Sequence, residues 1–238
     1  MRRTAKISAI CNQKGGVGKT VRTVNLGIEL AREGNRVLLV DVDPQGSLTT
    51  SLGYQHPDQL ESTLADVLGF IITDTPVIPG TGIIHQAEGV DLLPANIELS
   101  GLEVTLVNTM SHETTLWDYL NSVQKQYDII LLDCCPSLGM LTINALAAAD
   151  KVKLKINPRL DIAGILITMA DMKTNYSREI VDLLRNAYGN GVRIFDSIIP
   201  LSIRAAETST EGRSIYIHVL SLIRYPVQSD LLSLVICR

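Results

Sequence analysis

Lys14-Gly15-Gly16-Val17-Gly18-Lys19-Thr20 sets three glycines, two lysines and a hydroxyl side by side. Glycines let the backbone turn with its N–H groups facing inward, where they can cradle phosphate oxygens at the start of a helix. Lys19 is spaced to reach β- and γ-phosphates, and the Thr20 hydroxyl to hold Mg²⁺. Two acids, Asp41 and Asp43, follow in Asp41-Val42-Asp43-Pro44-Gln45-Gly46-Ser47. They suit work with metal and water, although Asp-Pro with Gly46 would also make a plain turn. Farther on, Tyr127-Asp128-Ile129-Ile130-Leu131-Leu132-Asp133 is an apolar run that ends in acid. Asp133 could accept hydrogen bonds from metal-bound water or from the Thr20 hydroxyl.

These residues need a scaffold that places them at one edge. Ile7–Cys11 reads as a buried strand before the glycine loop, and a helix follows with Val21, Val24, Ile28 and Ala31 on one face and a stop at Gly34. Arg36–Asp41 is continuously apolar until its acid, the mark of a parallel strand covered on both faces. The acids then sit at carboxyl ends of strands, where open α/β sheets place ligands. Residues 61–69 read as a short helix closed by Gly69, Thr73–Gly82 as loop, and Val90–Pro94 as a short strand. Glu98–Val107 and Glu113–Tyr127 carry helical spacing, the second with Leu116, Tyr119, Leu120 and Val123 on one face and Trp117 outside it. Met140–Ala149 and Tyr176–Tyr188 read as helices; Gly164–Ala170 and Val192–Phe195 read as strands, the latter followed by Ile198-Ile199-Pro200. The expected fold is α/β, a doubly wound and mainly parallel sheet of the P-loop NTPase type, with residues 1–238 as one domain.

At 238 residues the chain can bury a substantial core. Its net charge of −4 gives no global positive field toward nucleic acid or anionic lipid, so any DNA contact must be local. The four cysteines, Cys11, Cys134, Cys135 and Cys237, lack Cys-x-x-Cys spacing and suggest neither a zinc site nor a disulfide framework. Met1–Lys6 lacks the apolar core of a secretion signal, and no stretch reaches the ~20 apolar residues of a membrane span. A cytoplasmic, reduced setting is expected.

The ordinary phosphate-loop pattern has Gly where this chain has Gln13, and here a second lysine, Lys14, heads the loop. That combination resembles the deviant Walker A box of the ParA/MinD family, with chromosome and plasmid partition ATPases of the ParA/Soj type most similar. The resemblance implies an ATPase that uses ATP and Mg²⁺, with Lys14, Gly15, Gly16, Val17, Gly18, Lys19, Thr20 and Val21 at the nucleotide. It implies that Lys14 reaches phosphates held by a partner subunit, coupling ATP to homodimer formation. Asp43 would contact Mg²⁺ through water and position the attacking water, with Thr20 and Asp133 completing the metal set. The segment Ser202–Ser209 is similar to one in which an arginine touches DNA phosphates, which makes Arg204, with Arg213 and Arg193 as neighbours, the nonspecific DNA contact. A ParB-like centromere-binding partner and nucleoid association follow from the same likeness. Val21 stands where relatives usually carry a hydroxyl, which should weaken nucleotide binding by about 0.5–1.5 kcal/mol.

Two stretches depart from the pattern. In relatives a further strand and helix follow the helix after Asp133, but here Asp150 runs straight into Lys151–Ile156. Its alternating lysines and the short link to Gly164 argue against a central parallel strand. Val219–Arg238 likewise does not resemble the family's closing helix, so residues 218–238 form an atypical tail whose apolar Leu231–Ile236 should pack somewhere. A free thiol beside the nucleotide site could be oxidised, but Cys134 and Cys135 are expected as inert buried packing. Alternatives are a MinD-like membrane-associated regulator, although Pro226 and few basic residues disfavour an anchor, and a nucleotide-binding module without turnover. Iron–sulfur carriers are disfavoured because suitably paired cysteines are lacking.

Overall fold

The computed structural model describes residues 4–107, 114–137, 139–149, 162–170, 193–200 and 234–236, with Arg178, Asp182 and Gly212. Its strands are β1 (Lys6–Cys11), β2 (Val37–Val42), β3 (Ile84–His85), β4 (Asp91–Leu93), β5 (Ile129–Cys134), β6 (Ile162–Ala170), β7 (Ile194–Pro200) and β8 (Leu234–Ile236). They form one sheet in the order β3-β4-β2-β5-β1-β8-β6-β7. Every pairing is parallel except β3 with β4.

Continuous apolar runs account for the sheet's centre. Every residue of β2 and of β5 is buried, as a strand covered on both faces requires. Alternate side chains feed two cores. Leu38, Val40, Ile130 and Leu132 pack beneath α3 (Leu64–Ile72), α4 (Glu98–Val107), α5 (Thr115–Val123) and α6 (Met140–Ala148). Val37, Leu39, Ile129 and Leu131 pack with α1 (Lys19–Arg32) and α2 (Ser47–Ser51). Each fully buried leucine or valine of this kind contributes about 1.5–3 kcal/mol relative to exposure. The doubly wound α/β expectation therefore holds.

Details differ from the periodicity. The face of α1 on the sheet is Thr23, Val24, Gly27, Ile28 and Leu30, whereas Val21 and Ala31 are only partly covered. Gly27 sets how closely the helix approaches, because a Cβ there would lie 2.5 Å from Leu39 Cδ2. Gly69 does not close α3, which continues to Ile72 and begins with a capping box between Thr63 and Asp66. α5 ends at Val123 and passes into a short 3-10 turn, Gln124–Gln126. Trp117 packs against the core from its edge. Ile194–Pro200 is one strand, joining two pieces read separately from the sequence.

The position between β1 and β6 is taken by β8. Ile10 pairs with Val235 and Cys11 with Ile236 on one side; Ile162 pairs with Leu234 and Gly164 with Val235 on the other. Residues 234–236 of the apolar tail thus form a strand beside the one that leads into the glycine loop. Residues 151–156, expected not to be a central strand, lie outside the described residues, as do most of Tyr176–Tyr188 and the rest of the tail.

Candidate functional site

β1 delivers the chain into the glycine loop, and α1 leaves it at Lys19. Gly16 and Gly18 have φ of +70° and +76°, where side chains other than glycine are strained. Gly15 has no such φ, and a Cβ on it would meet nothing within 4 Å, so no protein atom demands glycine there. Its bareness leaves room for a group approaching the backbone from outside. Asn12 is buried at the entry to the loop; its Oδ1 accepts from Lys14 N at 2.9 Å, while its Nδ2 has no partner among the described residues. The first turn of α1 contains no acid, so the positive end of the helix dipole is not offset from within.

Lys19 is buried and turns back across the loop, its Nζ donating to the Lys14 carbonyl at 3.5 Å. Lys14 itself is exposed. Thr20 Oγ1 donates to Asp133 Oδ2 at 2.7 Å. Strand β5 and helix α1 thereby meet through the residues the sequence singled out. The other carboxylate oxygen of Asp133 is held by Thr23, which donates at 2.9 Å and also reaches the Lys19 carbonyl at 3.1 Å.

The second acidic loop divides its labour. Asp41 is fully buried and accepts from Thr49 N and Oγ1 at 2.9 and 2.7 Å, and from Asp43 N at 3.2 Å. It orders the loop from behind. Asp43 is partly exposed and accepts from Gln45 N at 3.0 Å. Burial, reinforced by the charge of Asp133, pushes the Asp41 carboxyl up to about 8. Asp133 is raised to about 6, mainly by burial and further by the charge of Asp43, against the lowering effect of the Thr20 and Thr23 hydroxyls and Lys19. Burial thus works against the charged form at two carboxyls beside the loop, which favours a cation there.

That cation would be a hard one. The candidate donors are all oxygen: Thr20 and Asp133 meet directly, and the charge of Asp43 acts on Asp133. No group of three or more His, Cys, Asp or Glu residues able to hold a metal occurs among the described residues. Mg²⁺ fits this sparse set, because it keeps waters and takes further ligands from substrate phosphates.

Thr23 and Arg22 were not read from the sequence, and Asp41 was read only as one of two acids suited to metal and water. Thr23 lies three residues after Thr20 on the same helical face, a spacing that could have revealed it. Asp41 is distinguished from Asp43 only by its burial against Thr49. Arg22 donates to the Val17 carbonyl and braces the loop from the helix side. Val21 is partly buried, and its carbonyl accepts from Asn25 Nδ2 at 2.6 Å. Of the three arginines, Arg193 is exposed, with its guanidinium 5.1 Å from the centre of the Phe195 ring. Arg204 and Arg213 lie outside the described residues.

Comparison with known proteins agrees with this geometry. A family model described as an AAA domain matches residues 5–181. The sporulation initiation inhibitor protein Soj of Bacillus subtilis is 38% identical over 237 residues, spanning 90% of this chain and 91% of Soj. The chain belongs to the ParA/Soj family of P-loop ATPases. ParA of Caulobacter vibrioides, a chromosome partitioning protein, is 35% identical over 241 residues, covering 90% of this chain and 88% of its own. Among solved structures, a Mycobacterium smegmatis protein described as cobyrinic acid a,c-diamide synthase, with a bound ATP analogue and magnesium, is 32% identical. It superposes with a TM-score of 0.74 over 94% of this chain and 100% of that one. The ParA/Soj assignment fits the loop, β5 and the sheet that joins them.

Proposed function

We propose that this chain is a Mg²⁺-dependent ATPase of the partition type, which closes into a dimer on ATP, binds DNA without sequence preference and resets by hydrolysis. The observation that carries the reading is the 2.7 Å bond from Thr20 to Asp133, formed beneath a loop that Lys19 crosses. Loop N–H groups and Lys19 would hold the phosphates, and Thr20, Asp133 and Asp43 would hold Mg²⁺. Bound there, the ion would neutralise charge on the transferring phosphoryl group. Asp43, at the rim of the site, would orient the attacking water. Lys14 is free of burial and positioned at the loop's head, which suits a role across a dimer interface.

DNA binding is assigned to Arg204, Arg213 and Arg193, whose phosphate contacts would give affinity that falls steeply with salt. A ParB-like protein is the proposed stimulating partner, and the nucleoid the proposed location. No helix among the described residues is long and apolar enough to cross a membrane.

Purified protein with ATP·Mg should form dimers, be retained on DNA and hydrolyse ATP faster when DNA is present. Lys14→Ala should lower turnover and dimer formation far more than ATP affinity; equal loss of all three would oppose the scheme. ATP binding without any turnover would leave a nucleotide-binding module, and capture on anionic liposomes rather than DNA at matched salt would favour a MinD-like role.

A further inference from the structure

Cys11 closes β1 and Cys134 closes β5, each one step beyond the last pair that joins those two strands to each other, Ile10 with Asp133. Their sulfur atoms lie 3.0 Å apart, and both are free thiols. Cys134 is buried in the core beneath α6, whereas Cys11 is partly exposed and packs against that core. The third described thiol, Cys135, is turned elsewhere, with its sulfur 3.1 Å from Ser137 Oγ and 3.3 Å from Thr142 Oγ1. The pair is therefore asymmetric: one residue is partly open to solvent and the other is closed off from it. No third acidic, histidine or cysteine ligand completes a metal cluster among the described residues, so a zinc clip does not explain the approach.

We propose that Cys11 and Cys134 are a thiol pair that a peroxide converts to a disulfide, and that this bond disables the phosphate loop. The Cys11 sulfur attacks one oxygen of the peroxide, the O–O bond breaks, and the leaving hydroxide takes the thiol proton and departs as water. Cys11 is then a sulfenic acid. The Cys134 sulfur attacks the Cys11 sulfur, its S–H proton leaves with the hydroxyl as a second water, and the S–S bond forms. Two thiols lose two electrons in all and one peroxide gains them.

The bond draws the sulfurs from 3.0 Å to about 2.05 Å. The β1–β5 pairing ends before both residues, while Cys11 stays paired with Ile236 and Cys134 with Val42, so the two strand ends are drawn toward each other against their outer neighbours. The displacement falls on the residue before Asn12, which holds Lys14 N, and on the residue after Asp133, which holds Thr20 and Thr23. Both walls of the site shift together. The disulfide itself stands on the thiol geometry, while its effect on nucleotide rests on the function proposed above.

The test treats purified protein with hydrogen peroxide at a small excess and maps thiols by mass spectrometry. A Cys11–Cys134 link is expected, with nucleotide binding weakened about tenfold or more, and dithiothreitol should reverse both. Cys11→Ala and Cys134→Ala should each keep basal nucleotide binding and lose the sensitivity, and Cys135→Ala should keep it. A link that includes Cys135, or sulfinic acid at Cys11 without any link, overturns the proposal. Formation of the link with unchanged nucleotide binding overturns its regulatory part. If the reduced protein binds no nucleotide at all, the fault lies with the proposed function, and the mapped disulfide still decides the chemistry.

Discussion

Thr20 and Asp133 are 113 positions apart in the chain, yet their side chains meet at 2.7 Å. The contact joins the first turn of α1 to the end of β5, so packing of the helix on the sheet and assembly of the oxygens proposed to hold Mg²⁺ are one event. Thr20→Ala should therefore abolish Mg²⁺-dependent hydrolysis, and Thr20→Ser should restore most of it. Steady-state ATPase assays over a Mg²⁺ titration would show the difference.

Thr23 occupies the other oxygen of Asp133 from within the core. Thr23→Val keeps the shape but removes the donor, leaving a buried carboxylate oxygen short of one partner. The expected loss of stability is about 1–3 kcal/mol, read from urea unfolding, and Thr23→Ser should recover it.

The buried acids give the nucleotide-free protein a definite pH dependence. Asp41, raised to about 8, and Asp133, raised to about 6, both hold their protons more tightly when folded than when unfolded. The folded state binds more protons across that window, so stability should fall as pH rises from about 4, the usual unfolded value, through about 8. Urea midpoints at pH 5 should exceed those at pH 8, and Asp41→Asn should flatten the slope.

Two glycines in helices should respond to alanine with opposite signs. Gly27→Ala drives a methyl into Leu39 and should destabilise by about 1–3 kcal/mol through overpacking. Gly101 in α4 is exposed, and a Cβ there meets nothing within 4 Å, so Gly101→Ala should stabilise by about 0.5–1 kcal/mol. Thermal unfolding of the pair distinguishes close packing from helix propensity.

Proline at Val235 removes the backbone donor of a residue paired with both Ile10 and Gly164. Val235→Pro should lower the melting temperature and speed hydrogen exchange at Ile10 and Cys11, while β2 amides stay protected. Unchanged exchange at β1 would show that β8 does not hold that edge.

Much of this was legible because its signals are local. The glycine loop, the acid-terminated runs of β2 and β5, and the stripe Leu116–Tyr119–Leu120–Val123 each declare themselves within a few residues. Thr23 was missed, and Asp41 was not told apart from Asp43, because their roles depend on what packs against them. Gly69 misled because a glycine ends a helix only when nothing beyond it repeats the apolar pattern, and Ile71 and Ile72 do pack on the core. Position β8 was beyond periodicity altogether: an apolar tail says that it needs cover, not which strands will supply it.

With β8 seated between β1 and β6, the sheet holds β1 to β5 on one side and β6 and β7 on the other, with a later segment between them. On the ribosome, β1, β2, β4 and β5 can come together before residues 234–236 emerge to pair with both β1 and β6. Between the emergence of β1 and that of residues 234–236, the flank of the phosphate-loop strand lacks this partner, a window in which a chaperone or a foreign strand competes for it.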